Sequence, residues 1–260
     1  MTEIEQNRHF FKLIFDGKDL VERINEYKFT RLEVAMTEHS HVPLQEFQKI
    51  EEFAQFCFSN REEYREKIET YIPFNLAEKY EVGYYNLSMN FDFSNKHILL
   101  SSKEFGEDWA SLGVTKLEFI VTVSRDATGA INNLGLRCLN QELVYDAFKW
   151  IFPCGQSATF GLHTFVPNAD GMILVEGFRD YVAFRESGHH NVVGLGSVSI
   201  TDLHREYLPN DIDIKFCYDQ DWYGNQKRKN DLKVLFVPYE HKDPWEAFLA
   251  EGKVDYILVK

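Results

Sequence analysis

Three carboxylates follow two apolar runs, and their spacing is typical of a metal site. Glu176 closes the run Ile173-Leu-Val, while Asp219 and Asp221 follow a second apolar run that ends at Tyr218. Residues i and i+2 lie on the same side of a strand, so Asp219 and Asp221 would point the same way. Carboxylate oxygens suit Mg²⁺ or Mn²⁺. The pattern predicts that Glu176, Asp219 and Asp221 bind one or two such ions.

The elements around these carboxylates predict how they come together. The run before Glu176 is short and apolar and is followed by Gly177, which indicates a buried strand ending in a tight turn. Asp180 then opens a predicted helix. In an open α/β sheet, ligands bind beyond the carboxyl ends of the strands, so both acidic segments are expected at the same edge.

The two segments resemble the Toprim domain, which bacterial-type primases, topoisomerases and several nucleases share. That family has a hydrophobic strand ending Glu-Gly-x-x-Asp and a second strand ending Asp-x-Asp-x-x-Gly. The matching residues here are Glu176, Gly177, Asp180, Asp219, Asp221 and Gly224. The resemblance implies metal binding and catalysis by Glu176, Asp219 and Asp221, with the other three in supporting roles.

The resemblance continues between and beyond the two motifs. Val192 to Ser197 is similar to the middle strand and glycine turn of the family, and Val234 to Pro244 is similar to a primase strand that leads to a Lys-Asp-Pro turn. Asp243 is the aspartate of that turn, and the resemblance gives it a supporting role.

The sequence upstream resembles primases more than other Toprim proteins. A primase hairpin, whose second strand ends Gly-x-Arg-x-Leu, is similar to two segments of this chain. They are Phe119 to Gly129 and Asn133 to Leu139. Asp126-Ala-Thr-Gly129 predicts a hairpin on turn chemistry alone. The resemblance implies that Arg137 and Lys149 line a nucleotide and template cleft.

The overall charge complicates a nucleic-acid function. The 260-residue chain has 28 basic and 41 acidic residues, a net charge of −13. Nucleic-acid binders usually carry a basic patch, so tight, unassisted DNA binding is not expected. A local basic cluster, Lys227-Arg228-Lys229, follows Asp221 closely. It either flanks the metal-binding cleft and contacts nucleotide or template, or lies on a solvated helix face.

Cysteine spacing and hydropathy restrict the remaining classes. The four cysteines have no Cys-x-x-Cys spacing, so no zinc is expected. No apolar run reaches the length of a membrane span, and the acidic start does not resemble a signal peptide, which predicts a cytoplasmic protein without membrane contact.

We therefore expect an α/β Toprim fold, with a Rossmann-like, mostly parallel sheet and helices on both faces. The predicted divisions are an α+β region of unknown role at 1–112, a primase-like hairpin subdomain at 113–168 and the Toprim domain at 169–260. In the first region, Leu44 to Ile72 has the apolar pattern of a helix that ends at Pro73.

A second segment of the amino-terminal region has strand-like alternation and many aromatic residues. It runs from Tyr80 to Leu100, and its rings could stack on single-stranded bases or form ordinary core packing, which the pattern favours. The rings in question belong to Tyr84, Tyr85, Phe91 and Phe93.

The resemblance implies a DNA primase activity, in which metal-dependent nucleotidyl transfer from NTPs makes short RNA primers on single-stranded DNA. A phage or mobile-element replication system, with a helicase or another replication protein as partner, is the expected context. Two alternatives stay open. One is a metal-dependent Toprim nuclease, and the other is a non-catalytic, primase-derived module that binds a partner through its acidic amino-terminal region.

Overall fold

The computed structural model describes the following residues: 44–86, 89, 118–139, 150–152, 158–166, 171–196, 200, 204, 208, 212–220, 234–236 and 241–259. None of the helices in these ranges is long and apolar enough to cross a membrane. The predicted rings at Phe91 and Phe93 lie outside the described residues.

Three helices open the described part of the chain: α1 (Leu44–Ser59), α2 (Arg65–Glu69) and α3 (Phe74–Lys79). The helical region predicted from Leu44 to Ile72 is therefore two helices separated by a turn, and the second helix ends at Glu69 rather than at Pro73. Asn60 and Ser59 both donate side-chain hydrogen bonds to the Phe56 carbonyl, at 2.9 Å and 2.8 Å. Such bonds compete with the helical ladder, and the chain turns through residues 60–64 before α2 begins.

A four-stranded sheet follows, with strands in the order β1-β2-β3-β4. Its strands are β1 (Gly83–Asn86), β2 (Glu118–Arg125), β3 (Ile131–Cys138) and β4 (Trp150–Ile151). The predicted hairpin at Asp126 is confirmed, because its carboxylate accepts hydrogen bonds from the backbone of Thr128 and Ala130. Tyr84 and Tyr85 are buried in β1, which agrees with core packing.

The second sheet has five strands in the order β6-β5-β7-β8-β9. They are β5 (Met172–Val175), β6 (Val192–Gly194), β7 (Ile214–Cys217), β8 (Val234–Phe236) and β9 (Ile257–Val259). Strands β6, β5, β7 and β8 are parallel, and β9 pairs antiparallel with β8. The predicted mostly parallel sheet is confirmed.

Helices α4 (Phe178–Glu186) and α5 (Pro244–Glu251) complete the described elements around the parallel sheet. All four residues of β5 are buried, as expected for a strand covered on both faces. Alternate positions point to opposite faces. On one face Met172 and Leu174 join a hydrophobic cluster with Val193, Leu195, Leu162 and Leu208.

The chain divides into two compact units, each drawn from separate stretches of sequence. The first comprises residues 1–71, 83–121 and 136–153, and the second comprises residues 72–82, 122–135 and 154–260. The parallel sheet, α3, α4 and α5 belong to the second unit. The domain boundaries predicted at residues 112 and 168 stay a prediction.

Candidate metal centre

Strands β5 and β7 place two of the predicted carboxylates side by side. They pair in parallel with Val175 opposite Cys217, so Glu176 and Asp219 follow at the same carboxyl edge. The backbone N–H of Asp219 donates a hydrogen bond of 3.1 Å to Oε1 of Glu176. This is the juxtaposition expected for ligands at the end of a parallel sheet.

Asp180 reaches the same edge from the first turn of α4, where its side chain is only 8% exposed. Gly177 precedes the helix, and a Cβ atom there would lie 2.9 Å from Oδ2 of Asp180. A larger residue at position 177 would therefore push against the carboxylate. The glycine of the Glu-Gly-x-x-Asp segment keeps room for Asp180.

Asp243 comes from the turn before α5. It is the N-cap of that helix, and its Oδ1 accepts a hydrogen bond of 2.8 Å from the Glu246 N–H, as is common for aspartate at this position. In the same turn the Trp245 N–H donates to Oδ1 of Asp180 at 3.4 Å. The amino end of α5 thus brings Asp243 to Asp180 and supplies a positive dipole end.

The three aspartates form one cluster. Asp180, Asp219 and Asp243 each offer a carboxylate oxygen, and these oxygens all lie within 4.8 Å of one another. Burial raises the pKa of Asp180 well above its usual value, and the charges of Asp219 and Asp243 raise it further. Neighbouring carboxylates repel unless a cation balances them.

This donor set fits a hard divalent cation. All the donor atoms are carboxylate oxygens, which Mg²⁺ and Mn²⁺ prefer and which softer metals do not select. A bound cation would favour the charged form of Asp180 and reverse the effect of its acidic neighbours. A positive side chain also lies near, since Arg179 lowers the pKa of Asp180.

The cluster differs from the predicted ligand set in its membership. Sequence reasoning put Asp180 and Asp243 in supporting roles, whereas the structure places their oxygens with that of Asp219. The signal for Asp243 was the Asp-Pro pair of a helix start. Six predicted site residues lie outside the described residues: Asp221, Gly224, Lys149, Lys227, Arg228 and Lys229.

Arg137, the other predicted nucleotide- or template-binding residue, lies on β3 in the first unit. Its guanidinium carbon is 5.3 Å from the centre of the Tyr71 ring and 5.7 Å from that of Trp150. Trp150 is in turn stacked on Phe152, with ring centres 5.9 Å apart and planes 8° from parallel. These four residues, the Arg137 ladder, combine a cation with the half-buried rings of Trp150 and Phe152 and the buried ring of Tyr71.

The arrangement at the end of the parallel sheet agrees with a family match. Residues 173–243 match the family model described as Toprim-like, and this segment spans the cluster from Asp180 to Asp243. The chain therefore contains a Toprim-like domain.

Comparison with solved structures extends this assignment to a primase-like fold. The RNA polymerase domain of the Mycobacterium tuberculosis primase DnaG superposes with a TM-score of 0.57 at 16% identity, covering 81% of each chain. A DnaG primase catalytic domain bound to single-stranded DNA gives a TM-score of 0.53 at 17% identity, covering 80% of this chain and 75% of the other. The fold is that of primase catalytic cores.

A curated relative points the same way. A DNA primase of Legionella pneumophila is 23% identical over 207 residues, which is 70% of this chain and 36% of the relative. The match thus spans about a third of the relative's length. The chain thus combines a Toprim-like domain at residues 173–243 with a primase-like fold.

Proposed function

We propose that the protein is a metal-dependent nucleotidyltransferase that makes short RNA primers on single-stranded DNA. The observation that carries the proposal is the convergence of Asp180, Asp219 and Asp243 at the carboxyl edge of the parallel sheet. In a primase-like fold, such a cluster is suited to binding the cation that phosphoryl transfer requires.

The cation, Mg²⁺ or Mn²⁺, would be bound by the aspartate cluster of Asp180, Asp219 and Asp243. Glu176 and the predicted ligand Asp221 would complete the set. The ion would polarise a phosphoryl group and neutralise charge on the departing pyrophosphate. The chain holds its own ligands in place, since the Asp219 N–H orients Glu176 and the Trp245 N–H anchors Asp180.

Basic residues would bind the charged substrates beside the acidic cluster. Arg179 adjoins the cluster, and its guanidinium carbon lies 5.7 Å from the centre of the Trp245 ring, which restricts where the side chain can point. We propose that it contacts the triphosphate of an NTP. The predicted residues Lys149, Lys227, Arg228 and Lys229 would extend this positive surface.

The Arg137 ladder is the proposed contact for single-stranded template. Aromatic faces accept stacked bases of any sequence, and an adjacent arginine attracts the phosphate backbone. Because the whole chain carries a net charge of −13, we also propose that a replication partner such as a helicase delivers the template in the cytoplasm.

A primer-synthesis assay tests the proposal. Purified protein is incubated with single-stranded DNA of varied sequence, four labelled NTPs and Mg²⁺ or Mn²⁺. We expect short RNA products, reduced at least about 100-fold in Asp219→Asn, since a missing metal ligand removes stabilisation of the transition state. Glu62→Gln changes an exposed ion pair with Arg65 and should leave the yield unchanged.

The other outcomes discriminate between the alternatives. Template degradation that disappears in Asp219→Asn would overturn primer synthesis in favour of a nuclease. If neither products nor degradation appear with either metal, even with added helicase, the non-catalytic function gains support, which the acidic charge already favours.

A further inference from the structure

A second candidate site lies in the same unit as the metal centre but uses different side chains. It is a cavity of about 280 Å³ bounded by α3, β2, α4 and the short helix Leu162–Thr164. No member of the aspartate cluster lines it. The cavity volume is close to the lower end of small-ligand sites, and one ring with one anionic substituent would fit in it.

Aromatic side chains form one wall of this cavity. Phe178 and Tyr181 of α4 are 2% and 5% exposed, and Tyr80 packs edge-on against Tyr181 with ring centres 5.8 Å apart. Gly161 closes the wall, because a Cβ atom at this residue would lie 2.1 Å from the Tyr181 ring. Such close packing fixes the wall before any ligand binds.

Arg185 supplies positive charge to the cavity and lies one helical turn after Tyr181 on α4. Arg185 donates through Nη1 to the carbonyls of Thr164 and His190, at 3.1 Å and 3.3 Å, and both acceptors are neutral. Within the described ranges, Arg185 forms no ion pair with a carboxylate. Lys79 also lines the cavity, but its charge is balanced by Glu186 at 2.6 Å. The one carboxylate among the lining residues, Glu81, is itself paired with Arg125 at 2.6 Å.

We propose that this cavity binds a small organic anion. The anionic group pairs with the Arg185 guanidinium, and the apolar body packs on Tyr80 and Tyr181. A guanidinium whose present acceptors are backbone carbonyls gains charge-assisted hydrogen bonds when an anion arrives. Phosphate monoesters and carboxylates share this chemistry, and the aromatic wall favours either one over a bare inorganic ion.

Histidine signals in NMR spectra of the 260-residue protein provide the test. His163 and His190 line the cavity, and His204 and His241 do not, so a ligand in the cavity should shift the first pair alone. The probes are phenyl phosphate, benzoate and inorganic phosphate, each titrated without divalent metal. We expect saturable shifts with phenyl phosphate or benzoate and at least tenfold weaker binding of inorganic phosphate.

Variants connect the binding to Arg185. Arg185→Gln should weaken binding at least tenfold, Arg185→Lys should weaken it less, and Arg65→Gln, which alters an exposed arginine of the other unit, should leave it unchanged. Thermal unfolding of each variant checks that the fold persists. The proposal is overturned if no probe gives saturable shifts of His163 and His190, or if Arg185→Gln and Arg65→Gln bind alike.

Discussion

At Asp180, burial and charge act together against ionisation. The carboxyl is 8% exposed, and burial and then the neighbouring carboxylates raise its pKa. Asparagine has the same shape and keeps an oxygen to accept the Trp245 N–H. Asp180→Asn should therefore raise the free energy of unfolding of the metal-free protein by about 1 kcal/mol, because a buried like charge is removed.

Urea unfolding with and without Mn²⁺ measures both parts of this prediction. Wild type should gain stability with Mn²⁺, whereas Asp180→Asn should gain much less, since binding to the folded state is what stabilises it. Glu62→Gln serves as the control and should match wild type under both conditions. If Asp180→Asn is less stable than wild type without metal, then repulsion between the carboxylates does not destabilise the wild-type protein, and the prediction is contradicted.

The pKa of Glu186 is shifted in the opposite direction to that of Asp180. Its partial burial would raise the pKa, but hydrogen bonds from Lys79 and Tyr80 outweigh this and lower the pKa of the carboxyl. A lowered folded-state pKa means that the stabilisation is present above the unfolded-state value of about 4.3 and is lost as the pH falls through the folded-state value. Glu186→Gln should thus cost about 1 kcal/mol at pH 7.

Denaturant unfolding of Glu186→Gln across the pH range checks the sign. The difference from wild type should shrink as the pH falls below the unfolded-state value of about 4.3 and then through the lowered pKa of the folded-state carboxyl. A difference that stayed constant down to pH 2 would show that packing, rather than charge, causes the loss.

Single residues of the site were predictable to different degrees. Glu176 and Asp219 could be located from sequence because each directly follows an apolar run, and strand ends are local signals. The proximity of Asp180 to Asp243 could not be predicted from sequence. It depends on how the first turn of α5 packs against α4. That docking is a tertiary contact between residues far apart in sequence.

Among the elements, the turn at Gly161 is the one most restricted by its surroundings. Gly161 has φ +82°, and Gly129 in the hairpin has φ +92°, so alanine is strained at both positions. A Cβ at Gly129 would meet nothing within 4 Å, whereas at Gly161 it would overlap the Tyr181 ring. Gly129→Ala should cost about 1 kcal/mol and Gly161→Ala at least about 3 kcal/mol.

Thermal and denaturant unfolding of the two variants separates backbone strain from steric overlap. Equal losses would show that the Tyr181 ring moves aside easily, so that the cavity wall beside it would not be preformed. The larger loss at Gly161 is expected because the ring packs against Tyr80 and Phe178 and has little room to move.

Elements with a clear local pattern were predicted well. The buried strand before Glu176 and the hairpin at Asp126 both follow from hydrophobic runs and turn residues. The break in the helical region from Leu44 to Ile72 was not predicted, because residues 60–64, Asn-Arg-Glu-Glu-Tyr, include neither a glycine nor a proline to mark it. Side-chain bonds from Ser59 and Asn60 to Phe56 interrupt the helix, and periodicity does not register such bonds.

For the whole molecule, a net charge of −13 determines how it meets nucleic acid. We expect weak binding of single-stranded DNA in KCl and at least about tenfold tighter binding in Mn²⁺ at matched ionic strength, because bound cations reduce repulsion near the site. Fluorescence anisotropy of a labelled oligonucleotide measures this. In Asp219→Asn, the tighter binding of DNA in Mn²⁺ should be largely lost. If wild type binds DNA equally well in KCl and in Mn²⁺, the prediction is contradicted.

The pairing of β8 with β9 has a consequence for aggregation. Strand β9 pairs antiparallel with β8 on the side of β8 that does not face β7. Ile257–Val259 therefore cover an edge of the parallel sheet whose backbone groups could otherwise pair with a strand of another chain. Loss of the β9 pairing, by truncation or by local unfolding, would expose this edge and favour association between copies of the protein.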